Sequence, residues 1–156
     1  MRRKGVFPGV FLLLLALCAS IVAGSQSSKS DKRVVSSPDF PQPIGPYSEA
    51  VVAGGFVFVS GQGPFNTQTQ KMELGDIKSE TRLELTNISN ILKASNSSLE
   101  NVVKVSVFLA DLSDFDAMNE VYREFFKDNL PARTTVQAVL LTKRKVVFDC
   151  IARVNQ

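Results

Sequence analysis

Residues 133–154 read RTTVQAVLLTKRKVVFDCIARV, and this stretch decides the fold class. Side chains of a β-strand alternate between two faces, so residues two apart share one face. Two strands are predicted, over residues 133–141 and 146–154, on either side of a polar turn at residues 142–145. In the second strand the apolar set that can pack against helices is Val146, Phe148, Cys150, Ala152 and Val154, and the opposite set is Val147, Asp149, Ile151 and Arg153.

The first of these strands also divides into two sets. The face assigned to helix packing carries Thr134, Val136, Ala138 and Leu140. The opposite face carries Arg133, Thr135, Gln137 and Val139. The opposite face of the two strands together is too apolar to be freely solvated and too polar for a simple core. It predicts a subunit interface that contains a polar site. Cys150, on the helix-covered face, is predicted to be a small buried hydrophobic residue and not a nucleophile.

Three more strands are predicted upstream, over residues 49–53, 56–60 and 102–110, which are rich in β-branched residues. Gly54 and Gly55 tolerate the positive φ of a tight turn and join the first two strands in a hairpin. The second and third strands are separated by a helix, described next.

Two helices are predicted from apolar residues at helical spacing. The first begins at Asp76 and ends at the Ser/Asn-rich residues 95–98, and the second follows Ser113 and Asp116, which resemble a capping box. The element order is then ββαβαββ. It predicts an α+β domain in which both helices cover one face of a sheet.

The first 24 residues have the layout of a secretory signal peptide, with basic residues before an apolar run over residues 10–22. That run is shorter than the ~20 residues that a membrane-spanning helix needs. Residues 25–40 predict a flexible linker or, as an alternative, the second half of a bipartite leader for an organelle such as the plastid. One domain over residues 41–156 follows, and we expect it in the secretory pathway, without a membrane anchor after cleavage.

The composition excludes several chemistries. The 156 residues contain no histidine, so the chain alone cannot build a Ser-His-Asp or Cys-His catalytic arrangement or most zinc sites. Its net charge of +3 comes from 18 Lys and Arg against 15 Asp and Glu, and the leader holds Arg2, Arg3 and Lys4. Without these three the charges balance, which disfavours nucleic acid as a partner.

Six short motifs in the body resemble the reactive-intermediate deaminases, the RidA or YjgF family. They are residues 44–48 (IGPYS), 59–62 (VSGQ), 101–104 (NVVK), 110–115 (ADLSDF), 119–122 (NEVY) and 131–133 (PAR), in order and without a large insertion. The resemblance implies a chorismate-mutase-like mixed sheet, assembled as a homotrimer with clefts between neighbouring subunits. It also implies hydrolysis of 2-imino acids to 2-keto acids and ammonia, with no cofactor and no metal.

The resemblance assigns the two central roles to Arg133 and Asp149. Arg133 matches the family arginine, whose planar guanidinium makes a bidentate contact with the substrate carboxylate. Asp149 falls where the family pattern usually has Glu, and it would hold and polarise the attacking water. The shorter side chain withdraws the carboxylate by ~1.5 Å, which makes a purely structural role for Asp149 a serious alternative.

Five further residues are implied substrate contacts: Tyr47, Ser60, Gly61, Asn119 and Thr135. Tyr47 would close the cleft over the substrate side chain, and the Gly61 N–H can approach a ligand closely because glycine has no Cβ. Ser60 lies at the end of the second predicted strand, next to Gly61. Asn119 could offer its side-chain amide to the cleft from the second helix. Thr135 stands where some relatives carry Cys, which excludes thiol chemistry at that position.

Two alternatives to an imine deaminase stay open. One is a ligand-binding or protein-protecting trimer that keeps the cleft without turnover, which the Asp149 substitution makes credible. The other is an endoribonuclease or translation inhibitor, labels that some family members carry. The balanced charge and the absence of histidine disfavour it.

Overall fold

The computed structural model describes residues 31–37, 40 and 43–155. The predicted signal peptide over residues 1–24 lies outside the described residues, as does part of the predicted linker. Among the described residues, no helix is long and apolar enough to cross a membrane.

The described residues form eight strands and two α-helices. The strands are β1 (Arg33–Val35), β2 (Ala50–Ala53), β3 (Phe56–Gln62), β4 (Phe65–Asn66), β5 (Lys71–Met72), β6 (Val102–Leu109), β7 (Ala132–Gln137) and β8 (Val146–Arg153). Helix α1 (Ile77–Ala94) lies between β5 and β6, and helix α2 (Phe115–Phe125) between β6 and β7. The main sheet has the order β1-β2-β3-β8-β6-β7, with β6 and β7 parallel and every other pair antiparallel. The predicted mixed α+β fold is confirmed.

Helix α1 begins directly after Asp76, where its start was predicted. The Asp76 carboxylate accepts a hydrogen bond from the Ser79 backbone N–H at 2.8 Å, and this bond lowers the pKa of Asp76. The helix ends at Ser95, whose hydroxyl donates to the Ile91 carbonyl at 2.7 Å. Its apolar stripe then packs on the sheet through Leu85, Ile88, Ile91 and Leu92, all nearly without solvent exposure.

The start of helix α2 differs from the predicted capping box at Ser113 and Asp116. A 3₁₀ turn over Leu112–Asp114 precedes it, and the Asp111 carboxylate accepts from the Ser113 N–H at 2.8 Å. Asp114, the residue at the N-cap of α2, makes no side-chain capping bond. The predicted capping box is therefore absent from the start of α2, although the helix itself is present.

The faces predicted for β8 are confirmed. Val146, Phe148, Cys150 and Ala152 are buried between the sheet and the helices, whereas Val147, Asp149 and Ile151 are half-buried. Burial raises the pKa of the Cys150 thiol to about 12, so the thiolate that a nucleophile needs is disfavoured. This environment agrees with the predicted role of Cys150 as a buried hydrophobic residue.

The faces predicted for β7 were exchanged. Arg133 is paired with Val105, which is paired in turn with Cys150, so all three point to the helix-covered face. Alternation separates the two faces of one strand but does not relate them to another strand. β7 and β8 are not hydrogen-bonded neighbours, because β6 lies between them. The prediction that Arg133 and Asp149 share one face of the sheet is therefore wrong.

Strand β1 was not predicted, and it lies inside the predicted linker over residues 25–40. It pairs antiparallel with β2, and Val35 is buried in the core, as is Phe40. The backbone N–H of Gly54, in the β2–β3 turn, donates to the Asp31 carboxylate at 2.7 Å. At least this part of the segment is thus joined to the domain.

The outer face of the sheet, opposite the helices, carries large apolar side chains in contact with solvent. Phe56, Phe58 and Val136 are 37%, 45% and 42% exposed. Phe56 and Phe58 alternate with the buried Val57 and Val59 along β3. The predicted half-apolar character holds for the β8 part of this face, where Val147, Asp149 and Ile151 are half-buried, but β7 contributes Val136 to it in place of the predicted Arg133.

Candidate functional site

A cleft of about 430 Å³ opens at one end of β3 and β8. Its lining comes from the loop before β2, the end of β3, β6, the segment after β7, and the start of β8: Ile44, Tyr47, Ser60, Gly61, Phe108, Ala138, Val139, Leu140, Leu141, Arg144 and Val147. Three of the predicted site residues, Tyr47, Ser60 and Gly61, therefore lie together. We call this region the Tyr47 cleft.

An irregularity in β3 shapes the floor of the Tyr47 cleft. The pairing of β3 with β8 shifts register between Val59 and Gln62, so Ser60 and Gly61 sit at a bulge. The Ser60 hydroxyl donates to the Ser48 carbonyl at 2.6 Å, which leaves its lone pairs as acceptors. At Gly61 an added Cβ would lie 3.0 Å from Val147 Cγ1, so any side chain there would press on the cleft wall.

Tyr47 contributes an aromatic ring to the wall of the Tyr47 cleft. Its side chain is 48% exposed, and its backbone N–H donates to the Gly45 carbonyl at 2.9 Å in a tight turn. A Cβ at Gly45 would approach Tyr47 Cε1 to 3.3 Å, so glycine lets the ring lie close to this turn. The position agrees with a residue that covers a ligand.

Arg133 lies elsewhere, at the edge strand β7 beside α2. Its guanidinium carbon is 4.6 Å from the centroid of the Tyr122 ring and 5.7 Å from that of Phe115, both within cation–π range. Burial raises the pKa of Tyr122 to about 12, although Arg133 acts in the opposite direction. No ion pair to Arg133 is present among the described residues.

Two more predicted residues accompany Arg133. Thr135 is half-buried and follows it on the same face of β7. Asn119 is half-buried on α2, and its spacing places it between Phe115 and Tyr122 on one helix face. Arg133, Asn119 and Thr135 therefore form a second group, the Arg133 group.

The two groups do not meet within one chain. The Arg133 group lies on the helix-covered side of an edge strand, and none of its members lines the Tyr47 cleft. Asp149 is on the outer face, paired with Ser106, and it does not line the cleft either. The β8 residue that does is Val147, two positions earlier and about 7 Å away along the strand.

Sequence reasoning missed Arg144 and the buried acids of α1. Arg144 was assigned to a solvated turn, yet it is half-buried and lines the Tyr47 cleft. Glu80 and Glu84 are 1% and 0% exposed. Burial, reinforced by repulsion from Glu80, raises the pKa of Glu84 well above its usual value of 4.5, and Arg144 acts in the opposite direction. Glu80 and Glu84 share the helical spacing of Ile77, Leu85 and Ile88, and this spacing could have predicted that they are buried.

Comparisons with known proteins agree with this architecture. The model of the Endoribonuclease L-PSP family matches residues 38–154. A RutC family protein of Pyrococcus horikoshii is 47% identical over 112 residues, which are 72% of this chain and 89% of that protein. The 2-iminobutanoate/2-iminopropanoate deaminase of Dermatophagoides farinae is 44% identical over 114 residues, 73% of this chain and 89% of the relative.

A solved structure extends the likeness to three dimensions. The crystal structure of E. coli TdcF with bound serine superimposes with a TM-score of 0.73 at 35% identity, over 79% of this chain and 99% of that one. The fold and these similarities define a small α+β protein of the Rid type. The chain belongs to the RidA/YjgF family.

Proposed function

We propose that this protein hydrolyses 2-imino acids to 2-keto acids and ammonia. In this reaction water adds to the C=N carbon, the C–N bond breaks, and the nitrogen leaves as ammonia while the carbon keeps the oxygen. Support comes from family membership and from relatives that are named 2-iminobutanoate/2-iminopropanoate deaminases at 39–44% identity. The observation that carries the proposal is Arg133, a guanidinium without an ion pair among the described residues, held against two aromatic rings at a sheet edge.

We further propose that the active site is composite and forms between copies of the chain in a homotrimer. The Tyr47 cleft offers apolar walls, a hydroxyl and a backbone N–H, but the Arg133 group lies apart from it in the same chain. An edge strand such as β7 and a half-apolar outer face are features that a neighbouring subunit can cover. The Arg133 group of one subunit would then complete the Tyr47 cleft of the next.

The roles follow from the chemistry of each group. Arg133 would hold the substrate carboxylate with two parallel hydrogen bonds, while Asn119 and Thr135 lie beside it to contact the ligand. In the cleft, the Gly61 N–H and the Ser60 lone pairs would orient the imine, and Tyr47 would cover the substrate side chain. The apolar lining, which includes Leu140 and Val147, suits the aliphatic part of a short substrate side chain.

The attacking water needs an acceptor, for which we propose Asp149. Among the described residues, no carboxylate lines the Tyr47 cleft. Asp149 shares a strand face with Val147, so an intervening water would have to span the remaining distance. This arrangement also favours a second candidate function, a trimer that binds 2-keto or 2-imino acids without turning them over.

Substitutions at the two central residues separate these functions. Arg133→Ala should abolish imine turnover and weaken binding of 2-keto-acid analogues roughly 10- to 100-fold, because a charge-assisted contact is lost. Arg133→Lys should restore little, since an ammonium cannot make the bidentate contact. Ammonia release from imines generated by an amino-acid oxidase and calorimetry with 2-oxobutanoate are the measurements.

Asp149→Asn is the matched test of catalysis against binding. It keeps the shape and removes the charge, so it should retain analogue binding and lose turnover, whereas Asp149→Glu should keep or raise the rate. Turnover by Asp149→Asn at the wild-type rate would make Asp149 structural. Absence of turnover in the wild-type protein, with 2-oxobutanoate still bound, would establish the second candidate function.

We also propose that residues 1–24 direct the chain into the secretory pathway and are then removed, with a bipartite plastid leader as the alternative. Mass spectrometry of the N-terminus of the protein recovered from its compartment tests this, since a retained Arg2 would contradict it.

A further inference from the structure

Arg144 is a second guanidinium at the proposed active site, and the reaction as described does not use it. It lines the Tyr47 cleft together with Ser60 and Gly61, and Arg133 does not. A single substrate carboxylate needs one bidentate cation, which the proposed function assigns to Arg133. The question is which ligand group the second cation would bind.

Three features hold Arg144 in place. The Glu80 carboxylate, itself buried on α1, accepts from the backbone N–H of the next residue, Lys145, at 2.6 Å and from the Gly75 N–H at 3.0 Å. The Thr142 hydroxyl accepts from Arg144 Nε at 3.3 Å. Thr142 has φ of 65°, a conformation that costs a β-branched residue free energy and that is found preferentially at functional sites.

The third feature is the glycine at position 63, which has no side chain next to the Arg144 guanidinium. A Cβ at Gly63 would lie 2.8 Å from Arg144 Nη1, so glycine at this position is what leaves room for the guanidinium. The end of β3 and the turn before β8 are thus shaped to each other around Arg144.

The charge of Arg144 is poorly compensated inside the chain. No ion pair to it is found in the described part of the chain, and its one hydrogen bond uses Nε alone. Glu84 is close enough to interact with it electrostatically, but burial favours the neutral acid form of Glu84. The terminal nitrogens of Arg144 therefore keep donors for an anion that enters the cleft.

We propose that Arg144 binds a second carboxylate, on the substrate side chain, so that the preferred substrates are 2-imino dicarboxylic acids. This inference rests on the proposed function, because it takes the first carboxylate to be held by Arg133. A dicarboxylate would span the cleft between the two guanidinium groups, and a side chain that ends in methyl would leave Arg144 without an anionic partner.

The test compares two ligands of equal chain length on the purified protein. 2-Oxoglutarate and 2-oxopentanoate each have five carbons, and only the former ends in a carboxylate. Calorimetry should show that wild type binds 2-oxoglutarate at least about tenfold more tightly, the factor expected of one charge-assisted hydrogen bond. Arg144→Gln should bring the ratio of the two affinities close to one.

Two further variants control for fold and for general charge. Lys143→Gln removes a positive charge from the same turn, at an exposed side chain, and should keep the wild-type ratio. Gly63→Ala should displace the guanidinium and lower the ratio without removing the charge. Both variants should have the circular dichroism spectrum of wild type.

Three results would overturn the inference. Equal affinity of wild type for the two ligands would do so while leaving the proposed function intact, provided that Arg133→Ala still abolishes imine turnover. An equal loss of both affinities in Arg144→Gln would mean that Arg144 holds the common carboxylate. A lowered ratio in Lys143→Gln as large as that in Arg144→Gln would mean that overall charge, not the Arg144 site, sets the preference.

Discussion

The two faces of the sheet use the same strands for different purposes. On the helix-covered face Val107, Leu109 and Phe148 have no solvent exposure, because α1 and α2 cover them. On the outer face Phe58 and Val136 remain more than two-fifths exposed, and no element of the described chain covers them. One face is completed within the chain, and the other has the composition of a surface that a second copy completes.

The candidate site follows the same division. The Tyr47 cleft opens at the ends of β3 and β8, where Ser60, Gly61 and Val147 contribute to its lining. Arg133 belongs to the helix-covered side and reaches solvent only because β7 is an edge strand. A chain that is complete in its core is thus incomplete in its site, and each prediction below tests that contrast.

The largest expected effect on stability concerns the helix-covered face. Phe148→Ala should lower the free energy of unfolding by about 3–5 kcal/mol, because it removes a fully buried ring and leaves a cavity. Leu74→Ala, at a side chain that is 49% exposed in the loop before α1, is the control and should cost about 1 kcal/mol or less under the same conditions. Urea unfolding at one protein concentration measures both, and equal losses would contradict the burial of the helix-covered face.

The next effect concerns assembly. Phe58→Glu places a charge on the outer face and should dissociate the proposed trimer, since an unpaired carboxylate cannot be buried cheaply. Leu74→Glu, at a side chain that is 49% exposed in the loop before α1, should keep the trimer mass. Light scattering at micromolar concentration reports the mass. A monomeric wild type, or an unchanged mass for Phe58→Glu, would remove the basis for a composite site.

The smallest effect is a pH dependence from the buried acid of α1. The pKa of Glu84 is higher in the folded chain than its ordinary value of 4.5 in the unfolded chain. The contribution of Glu84 to the free energy of unfolding is therefore fully present below the unfolded pKa and is lost as the pH rises through the folded pKa. Glu84→Gln cannot ionise, so its stability relative to wild type should increase from pH 4 to pH 8. Exposed Glu100→Gln is the control, and parallel curves for wild type and Glu84→Gln would contradict the assignment.

Local signals predicted much of the fold. The start of α1 at Asp76, the apolar stripe of this helix and the alternation of β8 each depend on residues close in sequence, and each lies where it was predicted. Strand β1 escaped because three residues within a Ser- and Lys-rich segment carry too little pattern. Its place depends on pairing with β2, which is a tertiary contact.

The site was less predictable for a related reason. The face on which Arg133 lies depends on the position of β6 between β7 and β8. The alternation of side chains along β7 does not predict which strand lies next to it. Val147 and Asp149 share a face, so periodicity could not tell which of them lines the cleft. The residues brought together correctly, Tyr47, Ser60 and Gly61, are those that the β2–β3 hairpin and its flanking loop place by local geometry.

The most direct test of a composite site is complementation between two inactive variants. Arg133→Ala destroys one half of the site, and Gly61→Val fills the other half, because even a Cβ there meets Val147. When the two variants are unfolded together and refolded in equal amounts, random assembly should give about one quarter of the clefts two intact halves. Imine hydrolysis at about one quarter of the wild-type rate is the predicted result. No recovery in mixed oligomers, shown to have formed by mass spectrometry, would place both halves in one chain and contradict the account.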